Sequence, residues 1–271
     1  MKSKAIAFPY VGWMALFVAA PLVIITIYAF TSDAGGFTLS NFLDMAQYTA
    51  AFGRSFLLAA IATVICVLIG YPFGYAMGKA SRKWRTILML LVIVPFWTNA
   101  LIRIYGWRIL LAGNGPVNAL LVSLGIVDKP LKLLNTHGAV VLGMVYALLP
   151  FMILPVYTSV EKMDWSLVDA GHDLGANAMT VFRTVTLPIT ASGLLTGSVL
   201  VFVPSLALFF MSDLMGGPSD ILIGNLVNDQ LLKSRDWPFA AALSVVLLGL
   251  TGLIMFVYRK LGGKSSDMTV F

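Results

Sequence analysis

The sequence has 271 residues, of which 59% are hydrophobic and 11% are charged. Soluble domains usually carry about a quarter charged residues, so this composition excludes an ordinary soluble protein and indicates an integral membrane protein. The formal net charge of +6 does not require a nucleic acid partner, because membrane proteins gather Lys and Arg on their cytoplasmic side. The single cysteine, Cys66, excludes a framework of internal disulfides.

Six apolar runs are long enough to cross a bilayer, which requires about 20 residues in a helix. The first run is too long for the apolar part of a signal peptide, so we expect it to remain in the protein. The sequence therefore predicts an all-α integral membrane protein with six transmembrane helices. These helices are predicted at residues 7–30, 55–77, 86–111, 138–160, 189–211 and 239–258.

The distribution of Lys and Arg predicts the orientation of the spans. An even number of spans places both termini on one side, and with the termini in the cytoplasm eleven of the eighteen basic residues flank cytoplasmic ends. The first outer loop, residues 31–53, then contains none. This bias predicts cytoplasmic termini and places the polar segment 162–188 in the cytoplasm.

The third predicted span contains polar residues that a simple membrane anchor does not need. Pro95 frees a backbone carbonyl that lipid cannot satisfy, and Asn99 and Arg103 follow within the same span. Such residues usually line a pathway through the membrane. The alternative is an ordinary packing kink, with Arg103 and Arg108 reaching the outer interface along their apolar stems.

Between the last two spans, the outer loop contains four aspartates and a predicted short helix at residues 221–232. Asp213 follows Phe209 and Phe210 at the expected membrane edge, so it is the acid that we assign to a cationic ligand. Asp220 is interpreted instead as a solvated carboxylate or a helix cap. A further short helix is predicted at residues 117–124, after a turn at 113–116.

The segment 166–188 is a polar island in this apolar sequence. Ser166 and Asp169 have the spacing of a capping box, Gly175 is placed to form a left-handed turn, and Pro188 ends a second helix or opens the next element. We therefore predict a helix, a glycine turn and another helix. Their apolar stripe is predicted at Leu167, Ala170, Leu174, Ala178, Val181 and Phe182.

Nothing in the sequence indicates an enzyme or a cofactor site. No Walker A, G-x-S-x-G or H-E-x-x-H pattern occurs, and His137 and His172 are predicted on opposite sides of the membrane. The expectation is a non-catalytic protein without a cofactor. If it performs active work, another subunit must supply the energy.

The polar segment resembles the E-A-A loop of type I ABC importer permeases, the MetI-like family. Asp169-Ala170-Gly171 stands at the E-A-A position, Gly175 is the following glycine, and residues 185–188 form the end of the pattern. The sequence departs from the family in having aspartate for glutamate and glycine for the second alanine. The resemblance implies that the segment docks onto an ATPase, through Asp169, Ala170, Gly171, Asp173, Gly175, Leu187 and Pro188.

Further segments are similar to the permeases of spermidine/putrescine importers, namely residues 93–106, 146–152, 211–217 and 235–239. The resemblance covers nearly the whole chain. It implies a first helix and outer loop at 1–53, a transmembrane core at 54–260 with a coupling loop at 162–188, and a cytoplasmic tail at 261–271.

The resemblance also implies an assembly in the bacterial inner membrane. Its parts are a second homologous permease, two ATPase subunits that bind ATP, and a periplasmic substrate-binding protein. A polyamine has ammonium groups separated by methylenes, so its path should combine aromatic faces with a few carboxylates. The candidate path residues are Trp97, Asn99, Tyr105, Trp107, Tyr146, Phe210 and Asp213.

Other interpretations stay open at this point. Each aromatic residue of the candidate path has an alternative role in core packing or in an interfacial aromatic belt. The substrate could instead be an opine, thiamine or ferric ion. A different class, the ion-coupled secondary transporter, predicts uptake without an ATPase and usually an internal repeat of spans. A purely structural scaffold leaves the polar third span without a purpose.

Overall fold

The computed structural model of the chain describes residues 9–32, 35–217 and 220–261, and most of them are helical. Five helices are long and apolar enough to cross a membrane, and a sixth span is present if one bent helix pair counts as a single span. The predicted all-α membrane fold is thus confirmed. In chain order the helices are α1 (Pro9–Ala29), α2 (Ser40–Asp44), α3 (Thr49–Lys79), α4 (Arg82–Ile93), α5 (Ala100–Leu110), α6 (Pro116–Ser123), α7 (His137–Glu161), α8 (Ser166–Asp173), α9 (Ala178–Val181), α10 (Leu187–Ala207), α11 (Phe209–Met215), α12 (Ile223–Asp229) and α13 (Trp237–Leu261).

The third span, predicted at residues 86–111, consists of two helices joined at a sharp bend. A 3₁₀ turn at Val94–Trp97 ends α4, Thr98 is extended, and α5 leaves at an angle of 95°. Pro95 cannot donate a backbone hydrogen bond, and Asn99 starts the new helix by accepting hydrogen bonds from the N–H groups of Leu101 and Ile102. The bend therefore follows from residues that the sequence already marks as unusual.

The fifth span begins earlier than predicted, because α9 runs into α10 through a π-helical turn at Phe182–Thr186. Together they form one helix over Ala178–Ala207. Pro188 lies in the first turn of α10, where a residue without an N–H is tolerated. Pro188 thus opens an element, as one of our two expectations had it, but it does not stop the preceding helix.

Three helices, α3, α7 and α10, pack together at the centre of the molecule. Gly70, Gly74 and Gly78 of α3 recur every fourth residue and therefore share one face. A Cβ at Gly74 would lie 2.9 Å from Val156 Cγ1, and one at Gly78 would lie 2.4 Å from Val160 Cγ1. Small residues let α3 approach α7 closely, which is how helices gain van der Waals contact within a membrane.

The first and last spans form a peripheral pair. A second cluster of buried apolar side chains joins them to α2 and α12, including Ala29, Met45, Leu226 and Leu243. Ala29 is the only buried residue among the described residues of α1. Most of that helix consequently presents apolar side chains outwards, as expected for a helix that contacts lipid or another membrane protein.

Candidate functional site

We call residues 162–188 the docking segment, after the role that the resemblance implies. Its first helix, α8, is capped differently from our prediction. Asp164 Oδ1 accepts a hydrogen bond from the backbone N–H of Ser166 at 3.0 Å. Hydrogen bonds from Ser166 lower the pKa of the Asp164 carboxyl from its usual value. Ser166 is the first residue of α8 and forms no side-chain cap, so the predicted Ser166–Asp169 capping box is wrong. The carboxylate two residues earlier provides the cap instead.

Gly175 forms the left-handed turn between α8 and α9, as predicted. Its φ is 82°, and its N–H donates to the carbonyl oxygen of His172 at 2.9 Å. The next amide, that of Ala176, donates to the carbonyl oxygen of Gly171. Asn177 then caps α9 by accepting from the N–H of Thr180 at 2.8 Å. These bonds fix the angle at which the two short helices meet.

A small core holds the docking segment together. Met163, Val168 and Val181 are its buried residues. A Cβ on Gly171 would lie 3.1 Å from Val181 Cγ2, so the glycine that replaces the family's alanine lies close against α9. The predicted stripe is therefore only partly correct: Val181 is buried, but Leu167 and Leu174 point outwards.

The outward face of the segment is apolar and exposed. Leu174 is 88% exposed, and Leu167 and Met179 are about half exposed. Asp169, Ala170 and Asp173 are exposed as well. An apolar face of this kind with acidic neighbours is suited to seating in a groove of another protein. Of the remaining predicted docking residues, Pro188 is exposed and Leu187 packs against the central core.

The residues predicted for the substrate path do not form one continuous lining. Trp97 is 80% exposed and Tyr105 is 49% exposed. The side-chain oxygen of Asn99 caps α5, so this residue has a structural role. Phe210 packs partly against the central core and lies edge-on to Phe209, with 6.1 Å between ring centroids.

Trp107 and Tyr146 do come together, and Arg103 completes their group. Their rings meet edge to face at a centroid distance of 5.5 Å. The Arg103 guanidinium lies 5.7 Å from the Tyr146 ring and 5.3 Å from the ring of Phe96. Among the described residues no carboxylate pairs with Arg103. The rings of Phe96 and Tyr146 thus hold the Arg103 guanidinium near the bend of the third span.

Asp213 lies in an acidic pocket of about 410 Å³ formed by α11, α12 and the chain between them. Its Oδ1 accepts a hydrogen bond from Asn225 Nδ2 at 2.5 Å. Two further aspartates line the pocket, Asp220 and Asp229. Asp229 pairs with Lys233 at 2.6 Å and raises the pKa of its amino group. Asp213 has no cationic side chain at ion-pairing distance in the described part of the chain.

Asp220 is a buried residue, contrary to its interpretation as a solvated carboxylate. It is 2% exposed, and its carboxylate accepts from the N–H of Gly217 and contacts His137 Nδ1. Its backbone oxygen accepts from the hydroxyl of Ser212. His137 is the first residue of α7, and its pairing with Asp220 was not foreseen. Their positions differ by 83 residues, and no local pattern marks such a pair.

No group of three or more His, Cys, Asp or Glu side chains within the ranges 9–32, 35–217 and 220–261 is arranged to hold a metal ion. The arrangement of these residues offers two other kinds of surface. One is an exposed apolar face on α8 and α9, and the other is an acidic pocket that contains Asp213.

Residues 70–262, well over half of the chain, match the family described as "Binding-protein-dependent transport system inner membrane component". The chain belongs to this family. The matched region includes the segment 162–188 and all seven residues of the candidate substrate path.

Curated relatives are similar in sequence to this chain over nearly its whole length. It is 44% identical over 256 residues to the "Spermidine/putrescine transport system permease protein PotB" of Escherichia coli strain K12, covering 92% of this chain and 93% of that protein. The protein of the same name from Haemophilus influenzae is 42% identical over 257 residues, covering 92% and 90%.

Solved structures show the same fold at lower identity. A chain of a bacterial alginate ABC transporter, in complex with an alginate-pentasaccharide-bound periplasmic protein, matches with a TM-score of 0.74 at 17% identity. The match covers 95% of this chain and 92% of that one. A chain of an inward-facing methionine ABC transporter matches with a TM-score of 0.58 at 16% identity, covering 79% and 93%. The helices of this chain are therefore arranged as in ABC transporter permeases.

Proposed function

We propose that this chain is the non-catalytic permease subunit of an ATP-driven importer for polyamines, with spermidine and putrescine as substrates. The observation that carries the proposal is its identity of 42–44% to spermidine/putrescine permeases over more than nine-tenths of the chain. The acidic pocket at Asp213 supports it, because a polyamine carries ammonium groups that a carboxylate attracts.

The proposed assembly contains this permease, a second homologous permease, two ATPase subunits and a periplasmic binding protein. It lies in the bacterial inner membrane with both termini of this chain in the cytoplasm. One ATPase docks on the exposed face of α8, and closure of the ATP-bound pair moves α8 and shifts the spans between inward- and outward-facing states. ATP is bound by the partners and not by this chain.

In this proposal the acidic pocket receives the substrate after the binding protein releases it. Asp213 attracts an ammonium group, because the other two acids of the pocket already contact His137 and Lys233. Trp107, which packs edge to face on Tyr146, contributes apolar surface for the methylene chain beside the Arg103 guanidinium. Trp97, Tyr105 and Phe210 belong to the path together with surfaces of the second permease.

Reconstitution tests the proposal directly. The purified complex in liposomes, supplied with ATP inside and spermidine-loaded binding protein outside, should accumulate spermidine and hydrolyse ATP faster than with unloaded binding protein. Thiamine or ferric ion on its own binding protein should not do so. Stimulation by one of these ligands and not by spermidine would contradict the substrate, and spermidine uptake without the ATPases would contradict the importer class.

A further inference from the structure

Trp165 lies where the docking segment meets the transmembrane core. Its carbonyl oxygen accepts two hydrogen bonds from the first turn of α8, from the N–H groups of Val168 at 3.0 Å and Asp169 at 3.2 Å. Its indole ring packs against two separate clusters, the small core of the docking segment and the central core of the spans. Trp165 therefore contacts α8 through its backbone and the spans through its indole ring.

The ring of Trp165 is held by the last turn of α3. Its centroid lies 5.9 Å from that of Tyr75, and Lys79 Nζ lies 5.1 Å from the Trp165 ring and 5.5 Å from the Tyr75 ring. The ammonium group thus faces two aromatic rings from different elements. We call Tyr75, Lys79 and Trp165 the aromatic clamp.

A second contact joins the neighbouring helices at the same end of the molecule. Arg85 of α4 donates to Glu161 Oε1 at 2.6 Å and to the carbonyl oxygen of Gly78 at 3.1 Å. The two side chains of the ion pair are 31% and 39% exposed, so solvent screens much of their attraction. The ion pair aligns α3, α4 and α7, but it does not contact α8.

From these contacts we propose that Trp165 is the positioning residue through which displacement of α8 reaches α3. The inference rests on the proposed function, since it assumes that an ATPase moves α8. The close packing of α3 on α7 along Gly70, Gly74 and Gly78 then carries the displacement into the centre of the membrane. The other arm of the docking segment needs no clamp, because α9 is continuous with α10.

The test compares Trp165→Ala with Trp165→Phe, in the complete complex with ATPases and binding protein. The alanine variant should keep the ATPases bound, because Leu167 and Leu174 on the docking face are untouched. Spermidine taken up per ATP hydrolysed should fall about tenfold, equivalent to about 1.4 kcal/mol. Phenylalanine should keep at least about half of the ratio, because its ring can still contact Tyr75 and Lys79.

Trp84→Ala is the matched control, because Trp84 lies on α4 and is 62% exposed. It should leave the uptake ratio unchanged. Three results would overturn the inference: a normal ratio for Trp165→Ala, loss of the ATPases from that variant, or an equal defect in Trp165→Phe. Loss of the ATPases would assign Trp165 to the folding of the docking face. If the wild-type complex is stimulated by another ligand and not by spermidine, only the proposed substrate fails, and the variants are compared with that ligand.

Discussion

Gly175 sets the angle between the two short helices α8 and α9. Its φ of 82° lies in the left-handed region, and no atom lies within 4 Å of the position that a Cβ would occupy. A substitution there acts through backbone conformation and not through a clash. A β-branched residue in this conformation costs about 1–2 kcal/mol, whereas asparagine adopts it more readily.

We therefore expect Gly175→Val to reduce co-purification of the ATPase and transport, while insertion into the membrane stays normal. Gly175→Asn is the control for the loss of glycine as such and should retain most of the binding. Pull-down of the ATPase with each tagged variant measures the effect. Equal binding by the valine variant and the wild type would show that the turn does not position the docking face.

Two aspartates that look alike in the sequence have different environments. We expect Asp213→Asn to lower spermidine uptake without changing the amount of folded protein, because its carboxylate is exposed to the pocket. Asp220→Asn should instead lower thermal stability, since it weakens the contact between the buried Asp220 carboxylate and His137. Uptake assays and thermal unfolding in detergent separate the two effects. A normal unfolding temperature for the Asp220 variant, or normal uptake by the Asp213 variant, would contradict these assignments.

At the scale of helices, close approach explains the glycines where α3 and α10 pack against α7. A Cβ on Gly193 of α10 would lie 2.5 Å from the carbonyl oxygen of Pro155 and 2.3 Å from Ser159 Oγ. The first of these neighbours is backbone within α7 and cannot rotate away. Gly249 of α13 has no such neighbour.

Gly193→Ala should consequently destabilise the protein by about 1–3 kcal/mol, the usual cost of overpacking. Gly249→Ala should leave stability unchanged or raise it, because glycine in an open helix position costs about 0.5–1 kcal/mol relative to alanine. Thermal unfolding of the purified subunit in detergent measures both. Equal unfolding temperatures for the two variants would show that α7 and α10 can separate without cost.

At the scale of the whole molecule, the fold places the docking segment and the acidic pocket near different ends of the span α7. Its 25 residues have a length of about 37 Å at 1.5 Å per residue, enough to cross the hydrocarbon core. His137, beside the pocket, begins this helix, and α8 follows its other end. The proposed function requires these two ends to face opposite sides of the membrane.

Cysteine labelling tests this orientation. The only cysteine, Cys66, is buried, so Cys66→Ala provides a background for single cysteines at Leu174 and Ile126, which are 88% and 63% exposed. In spheroplasts an impermeant maleimide should label the cysteine at 126 and should not label that at 174. In inverted vesicles the ATPase should protect the cysteine at 174. The reverse pattern in spheroplasts would refute cytoplasmic termini.

Part of this picture follows from local sequence. Long apolar runs predicted the membrane spans, because a helix must cover the hydrocarbon core whatever it packs against. The turn at Gly175 was predicted, because glycine adopts a positive φ without steric cost. Pro95 and Asn99 signalled an interruption of the third span. The angle of 95° was not predicted, because it depends on how α5 packs against α7 and α11.

Other features depend on residues that are far apart in the chain. The pairing of His137 with Asp220, the arrangement of Arg103 between Phe96 and Tyr146, and the contact of Trp165 with Tyr75 each join different helices. A capping box was predicted at Ser166 because the pattern fits, yet Asp164 provides the cap. The sequence by itself determined the spans, the docking turn and the family pattern, since these rest on short-range chemistry. Only tertiary packing decided which acid is buried, which cation lies on the aromatic rings and how the docking helix is attached to the spans.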